Sequence, residues 1–304
     1  MIAQNFLGLI AAPITPMYKN GDVNYDRIQD LVQLYEKNGV SGAFVCGTTG
    51  EGTSLQLEEI KEIASAWARA GGNLKKILSV GGTCLRDMKA LAAHAQTIGF
   101  EGVSMLCPFY FKPKSEEELL ELVKEVSAEA PALDFYYYHI PVLSGAYFSM
   151  RKFLELADPQ IPNLRGLKFT HNDLYDFYRA RAFKKGKFNM LWGSDEVLLS
   201  GLVSGANGAV GSTYNYAAPL YKKVIDAFNK GEIEEARHWQ DKSVEMVKLL
   251  IQYGGTGATK AFMKIIGLDC GNYRLPVLSP SAAEISELES ELKKIGFFDY
   301  CSEL

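Results

Sequence analysis

The stretch DFYYYHIPVLSGAYFSMRKFLELADPQIPNLRGLKFT, Asp134–Thr170, contains two short apolar runs separated by a helical one. DFYYYHIP (Asp134–Pro141) and LRGLKFT (Leu164–Thr170) are nearly continuous in apolar character, as parallel strands covered on both faces are. Between them, Ser149–Ala157 has a helical pattern. A strand, a helix and a second strand in that order make a βαβ unit.

The same rhythm extends in both directions. Upstream, LGLIAAPI (Leu7–Ile14) precedes a helical run over Tyr25–Asn38, and GAFVCG (Gly42–Gly47) precedes Gln56–Ala70, where Leu57, Ile60, Ala64 and Trp67 share a face. ILSVGG (Ile77–Gly82) leads to Arg86–Ile98, and VSMLCP (Val103–Pro108) to Ser115–Glu129. Downstream, LRGLKFT is followed by Asp173–Lys184, FNMLWGSD (Phe188–Asp195) by Glu196–Ser204, and GAVGS (Gly208–Ser212) by Ala217–Asn229. Eight such units in about 230 residues fit an α/β fold of the (β/α)8 TIM-barrel type, which typically takes about 250 residues. A doubly wound open sheet would want a glycine-rich turn after the first strand, where this chain has APITP. The barrel is therefore expected over residues 1–230. Residues 231–304 are expected to add three helices, near Glu232–Gln252, Thr259–Ile266 and Ser281–Ile295, packed on the barrel as an appendage. Ile233, Ala236, Val244, Val247 and Ile251 read as an apolar stripe on the first, and Ser281 with Glu284 as a capping box on the last.

Composition narrows the function. The chain has 304 residues, 47% hydrophobic and 22% charged, with a formal charge of −4. Phosphate binding needs a clustered excess of Lys and Arg, so a nucleic-acid partner is not expected. Glu116–Glu118 fits the first turn of a helix, where it complements the dipole. No stretch reaches the roughly 20 apolar residues of a membrane span. The N-terminal MIAQNFLGLIAAPITP has no basic residue before its apolar run and reads as a first buried strand, not a signal peptide. Five cysteines (Cys46, Cys84, Cys107, Cys270, Cys301) and four scattered histidines form no CxxC or HExxH pattern. Disulfides, a metal site and a cofactor are not expected, and a cytoplasmic location is.

Chemistry in this barrel class sits at the carboxyl ends of the strands. Lys168 lies inside LRGLKFT, where alternation turns Leu167 and Phe169 one way and Lys168 the other. A lysine facing the barrel interior is desolvated and can form a Schiff base with a ketone. It can equally snorkel from a strand end or pair with a carboxylate. Tyr138 ends the fifth strand, either as a proton relay or as core filling, and Tyr136 and Tyr137 read as filling. GTTGEG (Gly47–Gly52) makes a small anion nest without the lysine of a nucleotide loop, suiting a carboxylate. GSDE (Gly193–Glu196) offers a cation site, an acid–base pair, acceptors for a polyol, or a helix cap. Cys46 and Cys107 are either packed or oxidation-sensitive.

Together GTTGE, YHIP, LKFT, GSDE and GSTYN, in this order over nearly the whole chain, resemble the pyruvate-dependent class I aldolases of the dihydrodipicolinate synthase and N-acetylneuraminate lyase family. The resemblance implies that Lys168 forms the Schiff base, and that Tyr138, in contact with Thr48, moves the proton at the aldol bond. It implies that Thr48, Thr49 and nearby backbone amides such as that of Gly50 hold the substrate carboxylate. Thr170, the Gly193 backbone, Asp195, Glu196 and Ser212 would bind sugar hydroxyls. Tyr110, in CPFYF, would reach into a neighbouring subunit of a homotetramer. The synthases carry an arginine two residues after the proline of the YxxP segment to bind a second carboxylate. Here that position is Leu143, and an uncompensated buried charge costs several kcal/mol. The resemblance therefore implies the sialic acid branch: N-acetylneuraminate, pyruvate and N-acetylmannosamine as partners, without a cofactor. YGGTGATK (Tyr253–Lys260), where some lyases have an aromatic, implies a wider pocket wall. A 2-keto-3-deoxygluconate-type aldolase, a dihydrodipicolinate synthase and a non-catalytic sugar-binding barrel remain as alternatives.

Overall fold

Helix follows strand eight times, and the eighth strand pairs with the first. The computed structural model describes residues 6–304; residues 1–5, the head of the N-terminal segment, lie outside them. Among the described residues the strands are β1 (Gly8–Ala11), β2 (Gly42–Val45), β3 (Lys75–Ser79), β4 (Gly102–Leu106), β5 (Asp134–His139), β6 (Leu164–Phe169), β7 (Asn189–Trp192) and β8 (Gly208–Gly211). They form a closed barrel in sequence order, all pairs parallel, with Gly8 opposite Gly208 where the ends meet. The outer ring is α1 (Arg27–Lys37), α2 (Leu57–Arg69), α3 (Leu85–Thr97), α4 (Glu116–Ser127), α5 (Met150–Ala157), α6 (Leu174–Arg181), α7 (Leu198–Val203) and α8 (Tyr214–Lys230). The expected (β/α)8 barrel is the observed fold.

Period-two alternation sorts the strand side chains into two apolar layers. Ile10, Phe44, Ile77, Leu106, Tyr136, Tyr138, Leu191 and Val210 fill the barrel interior. Their strand neighbours, among them Phe135, Tyr137, Leu167, Phe169 and Trp192, pack beneath the helices. Fully burying one such large side chain contributes roughly 1.5–3 kcal/mol. Local signals set the helix starts: Ser115 Oγ accepts from the Glu118 amide at 3.3 Å, and Gln56 with Glu59 forms a capping box on α2. Glu116–Glu118 thus occupies a helix first turn, as the dipole argument requires.

Beyond Gly231, a left-handed C-cap, run α9 (Ile233–Gln252), α10 (Thr259–Ile265) and α11 (Ala282–Lys294). The expected stripe on α9 is corrected. Ala236 and Val247 are buried, but Ile233, Val244 and Ile251 face solvent. The buried face instead runs through Ala236, Gln240, Ser243, Met246, Val247 and Leu250. Its two polar members are satisfied: Gln240 Oε1 accepts from the Leu199 amide at 2.8 Å and Ser243 Oγ bonds Tyr221 Oη at 3.1 Å. Polar residues on the core side disguise the true face. Buried Phe262, Met263, Leu288 and Leu292 of α10 and α11 join the cluster that lies under α8. The segment after α10 then returns to the barrel mouth, where the Cys270 carbonyl accepts from the Met17 amide at 3.0 Å. No described helix is long and apolar enough to cross a membrane.

Candidate active site

Lys168 stands on β6 between Tyr138 of β5 and Leu191 of β7, so alternation does point it inward. It is 4% exposed, and its Nζ lies 4.0 Å from the ring centroid of Tyr138 and 4.1 Å from that of Phe44. Among the described residues it makes no ion pair. Neither the snorkelling nor the paired reading of this lysine fits that setting. Desolvation pushes its ammonium below the ordinary lysine range, opposed by the adjacent Tyr138 and by Asp195. A larger neutral fraction means a better nucleophile toward a carbonyl. Tyr138 is itself buried, edge-on to Phe44 with ring centroids 5.6 Å apart. No hydrogen bond joins it to Thr48 in the single chain.

The turn after β2 is built on strained backbone. Cys46 (φ 55°) and Glu51 (φ 60°) both take the left-handed conformation, which costs a non-glycine residue of order 1 kcal/mol or more. The Gly47 carbonyl accepts from the amides of Gly50 and Gly52, both at 3.1 Å, and the Thr48 carbonyl from that of Glu51, also at 3.1 Å. In a planar trans peptide the N–H points opposite to the C=O. With these carbonyls drawn into the turn, the amides of Thr48 and Thr49 point out of it, and among the described residues neither has a partner. Two adjacent free amides beside two hydroxyls match the two oxygens of a carboxylate. Gly50, by contrast, donates its amide within the turn. Its distinctive contribution is clearance: a β-carbon there would sit 2.8 Å from the Pro13 carbonyl.

Across the mouth, the loops after β6, β7 and β8 meet. A β-carbon on Gly193 would run into the Thr170 hydroxyl, which is buried without a hydrogen-bond partner. A buried polar atom in that state calls for a partner from outside the chain. Asp195 does not cap the following helix. Its Oδ2 accepts from the Thr213 amide at 2.9 Å and hydroxyl at 2.7 Å, tying the β7 loop to the β8 loop. Burial lifts its carboxyl to about 6, against the pull of those bonds. Glu196 is exposed and Ser212 half-buried, so both remain open to a ligand. Asn215, quoted in GSTYN without a role, is fully enclosed. It accepts from the Ile14 amide at 3.2 Å and from Tyr35, and donates to the carbonyls of Ala12 at 2.8 Å and Ser212 at 2.7 Å. It latches the β8 loop to the β1 loop.

Other residues lie apart from this cluster. Tyr110 is 78% exposed on the loop after β4, paired edge-on with the exposed Phe111 at 5.1 Å. Leu143, on the single helical turn Pro141–Ser144, is exposed too. Cys46 and Cys107 are buried, and burial raises their thiols to about 12 and about 11, so both are packed and weakly reactive. Among the described residues no group of three or more His, Cys, Asp or Glu side chains is arranged to hold a metal ion.

Two partners of this site carry no obvious sequence signal. Glu51, inside the turn, is ion-paired at 2.9 Å to Lys260 of α10, and both side chains are almost wholly buried. Tyr273 Oη donates to the Thr49 carbonyl at 3.1 Å.

Known proteins with this arrangement are numerous. The rat N-acetylneuraminate lyase is 38% identical over 96% of this chain and 93% of its own length, and the chicken lyase 40% identical over 96% and 97%. Among solved structures, the Proteus mirabilis N-acetylneuraminate lyase superposes with a TM-score of 0.94 at 40% identity, covering 97% of this chain and all of that one. The Ruminococcus gnavus sialic acid aldolase gives 0.90 at 27% identity, over 97% and 99%. The model of the dihydrodipicolinate synthetase family matches residues 5–295. A closed barrel with a buried lysine on its sixth strand, and relatives alike from end to end, have one reading: this chain belongs to the dihydrodipicolinate synthetase family.

Proposed function

We propose that this chain is a carbon–carbon lyase that reversibly cleaves N-acetylneuraminate to N-acetylmannosamine and pyruvate. The observation that carries the chemistry is Lys168, a buried amine without an anionic partner, between two ring faces at the barrel mouth. The substrate assignment is supported by the names of the relatives and by the neutral Leu143, which offers no counter-charge to a second carboxylate.

The open-chain keto acid binds with its carboxylate on Thr48 and Thr49. The Lys168 amine adds to the C2 carbonyl and water leaves, giving an iminium that withdraws electrons from C3. The C3–C4 bonding pair moves into that sink as Tyr138 carries the proton from the C4 hydroxyl, releasing the aldehyde end of N-acetylmannosamine. The remaining enamine takes a proton at C3, which balances the one lost from O4. Water returns at C2 and pyruvate departs. Thr170, Glu196, Ser212 and the Gly193 backbone line the side on which the sugar hydroxyls lie, with Asp195 beneath. The exposed Tyr110–Phe111 pair supports a homotetramer in which Tyr110 completes a neighbour's site. Five free cysteines accord with the reducing cytoplasm.

Pyruvate release from N-acetylneuraminate, followed through lactate dehydrogenase with EDTA present, tests the reading. Prompt release is expected. No release, with borohydride still trapping pyruvate on Lys168, would assign another aldehyde partner; no adduct at all would remove the Schiff base.

A further inference from the structure

We propose that Lys260 is a positioning residue: through its buried ion pair with Glu51 it fixes the turn whose Thr48 and Thr49 amides receive the substrate carboxylate. The proposal rests on the Schiff-base reading of the site.

Glu51 is an unusual place for a carboxylate. Its backbone closes the turn, donating to the Thr48 carbonyl at 3.1 Å from a left-handed conformation. Its side chain is buried and held on both oxygens, Oε1 by Lys260 Nζ at 2.9 Å and Oε2 by the Arg274 amide at 2.8 Å. Lys260 Nζ donates also to the Asn272 carbonyl at 2.9 Å and lies 4.4 Å from the centroid of the Tyr273 ring. Tyr273 Oη in turn holds the Thr49 carbonyl, and Thr15 Oγ1 holds that of Gly50 at 2.6 Å. The rear of the turn is thus fastened at three consecutive residues, mostly by the segment that follows α9.

A buried ion pair is weak evidence for stability, because desolvation offsets the attraction. Orientation is what this one supplies. Fixing Glu51 and the Thr49 carbonyl fixes the peptide planes of the turn, and so the direction of the two outward amides. A preorganised donor pair of this kind binds its anion without spending binding energy on ordering the loop. Loss of the pair removes direction from those amides while leaving Lys168 and Tyr138 untouched.

The test compares pyruvate with pyruvamide, a ketone of the same shape lacking the negative charge, by borohydride trapping on Lys168. In the native protein pyruvate is favoured. In Lys260→Met the pyruvate concentration needed for half-maximal trapping should rise about tenfold or more, the scale of a misdirected charged hydrogen bond. That for pyruvamide should change little, so the preference collapses. The double variant Glu51→Gln/Lys260→Met leaves no unpaired buried charge, and it should fold and show the same lost preference even where the single variant folds poorly. A full pyruvate preference in the folded double variant would overturn the positioning role alone. Failure of the native protein to trap pyruvate would overturn this proposal and the Schiff-base reading together.

Discussion

Lys168 and Lys260 are both buried, at 4% and 2% exposure, and both lie against aromatic rings, yet only Lys260 has a carboxylate within ion-pair distance. Lys260 donates to Glu51 and to a backbone carbonyl, so its charge is answered on two sides. Lys168 faces two ring faces and no anion in ion-pair range. Burial pushes both ammonium groups below their ordinary range, but at Lys260 an immediate carboxylate resists. The difference separates two uses of a buried cation. An answered charge keeps a loop in one geometry; an unanswered one is a destabilised ground state that chemistry can use. Substituting each lysine by the same residue should therefore have opposite consequences.

The largest effect belongs to Lys168. Lys168→Met should lower the rate of pyruvate release by at least about 10⁴-fold, since no other group supplies the iminium. The same substitution removes a desolvated amine from an apolar setting, so the thermal midpoint should hold or rise by a few degrees. Activity assay and calorimetry on one sample check both. A fall in the midpoint would mean that Lys168 is answered by a partner after all, and the contrast would fail.

Lys260→Met should act the other way. It strands the Glu51 carboxylate in a buried pocket, and breaking such a pair costs about 3–5 kcal/mol. Urea unfolding should show that loss, and Glu51→Gln added to it should restore most of the stability. If the single variant were as stable as the native protein, Lys260 would not be the answered charge described above.

The two lysines also differ in how far the sequence disclosed them. Lys168 was legible because strand periodicity is strict: a lysine between Leu167 and Phe169 has to face the other way, and in a closed barrel that way is inward. Tyr138 against Tyr137 follows the same logic, as do the eight strand–helix units. Lys260 and Glu51 are separated by 209 positions, and nothing local says that the end of GTTGEG meets the start of α10. Their one trace is a lone charge in each of two segments otherwise rich in glycine or apolar residues. Asn215 was hidden for a related reason, since three of its four bonds reach backbone just after β1 and β8, which adjoin only once the barrel closes, and the fourth reaches Tyr35 of α1. The misplaced stripe on α9 came from Gln240 and Ser243, polar residues whose partners are tertiary.

The smallest expected effect tests whether each lysine senses its own carboxylate. Asp195 favours the charged form of Lys168, and with its carboxyl near 6 it is largely ionised at neutral pH. Trapping of pyruvate by borohydride requires the neutral amine, so its rate rises with pH through the Lys168 titration. Asp195→Asn removes a negative charge that raises that titration. The profile should therefore move to lower pH, and only modestly, because this carboxylate acts from beyond contact distance. Glu51→Gln should leave the midpoint where it is, because its charge is spent on Lys260. It should alter the pyruvate concentration needed instead. A profile that moved with Glu51 and not with Asp195 would exchange the two partners, and with them the roles of the two lysines. A shift to higher pH in Asp195→Asn would mean that water admitted by a loosened β7 loop, not the carboxylate's charge, governs the amine.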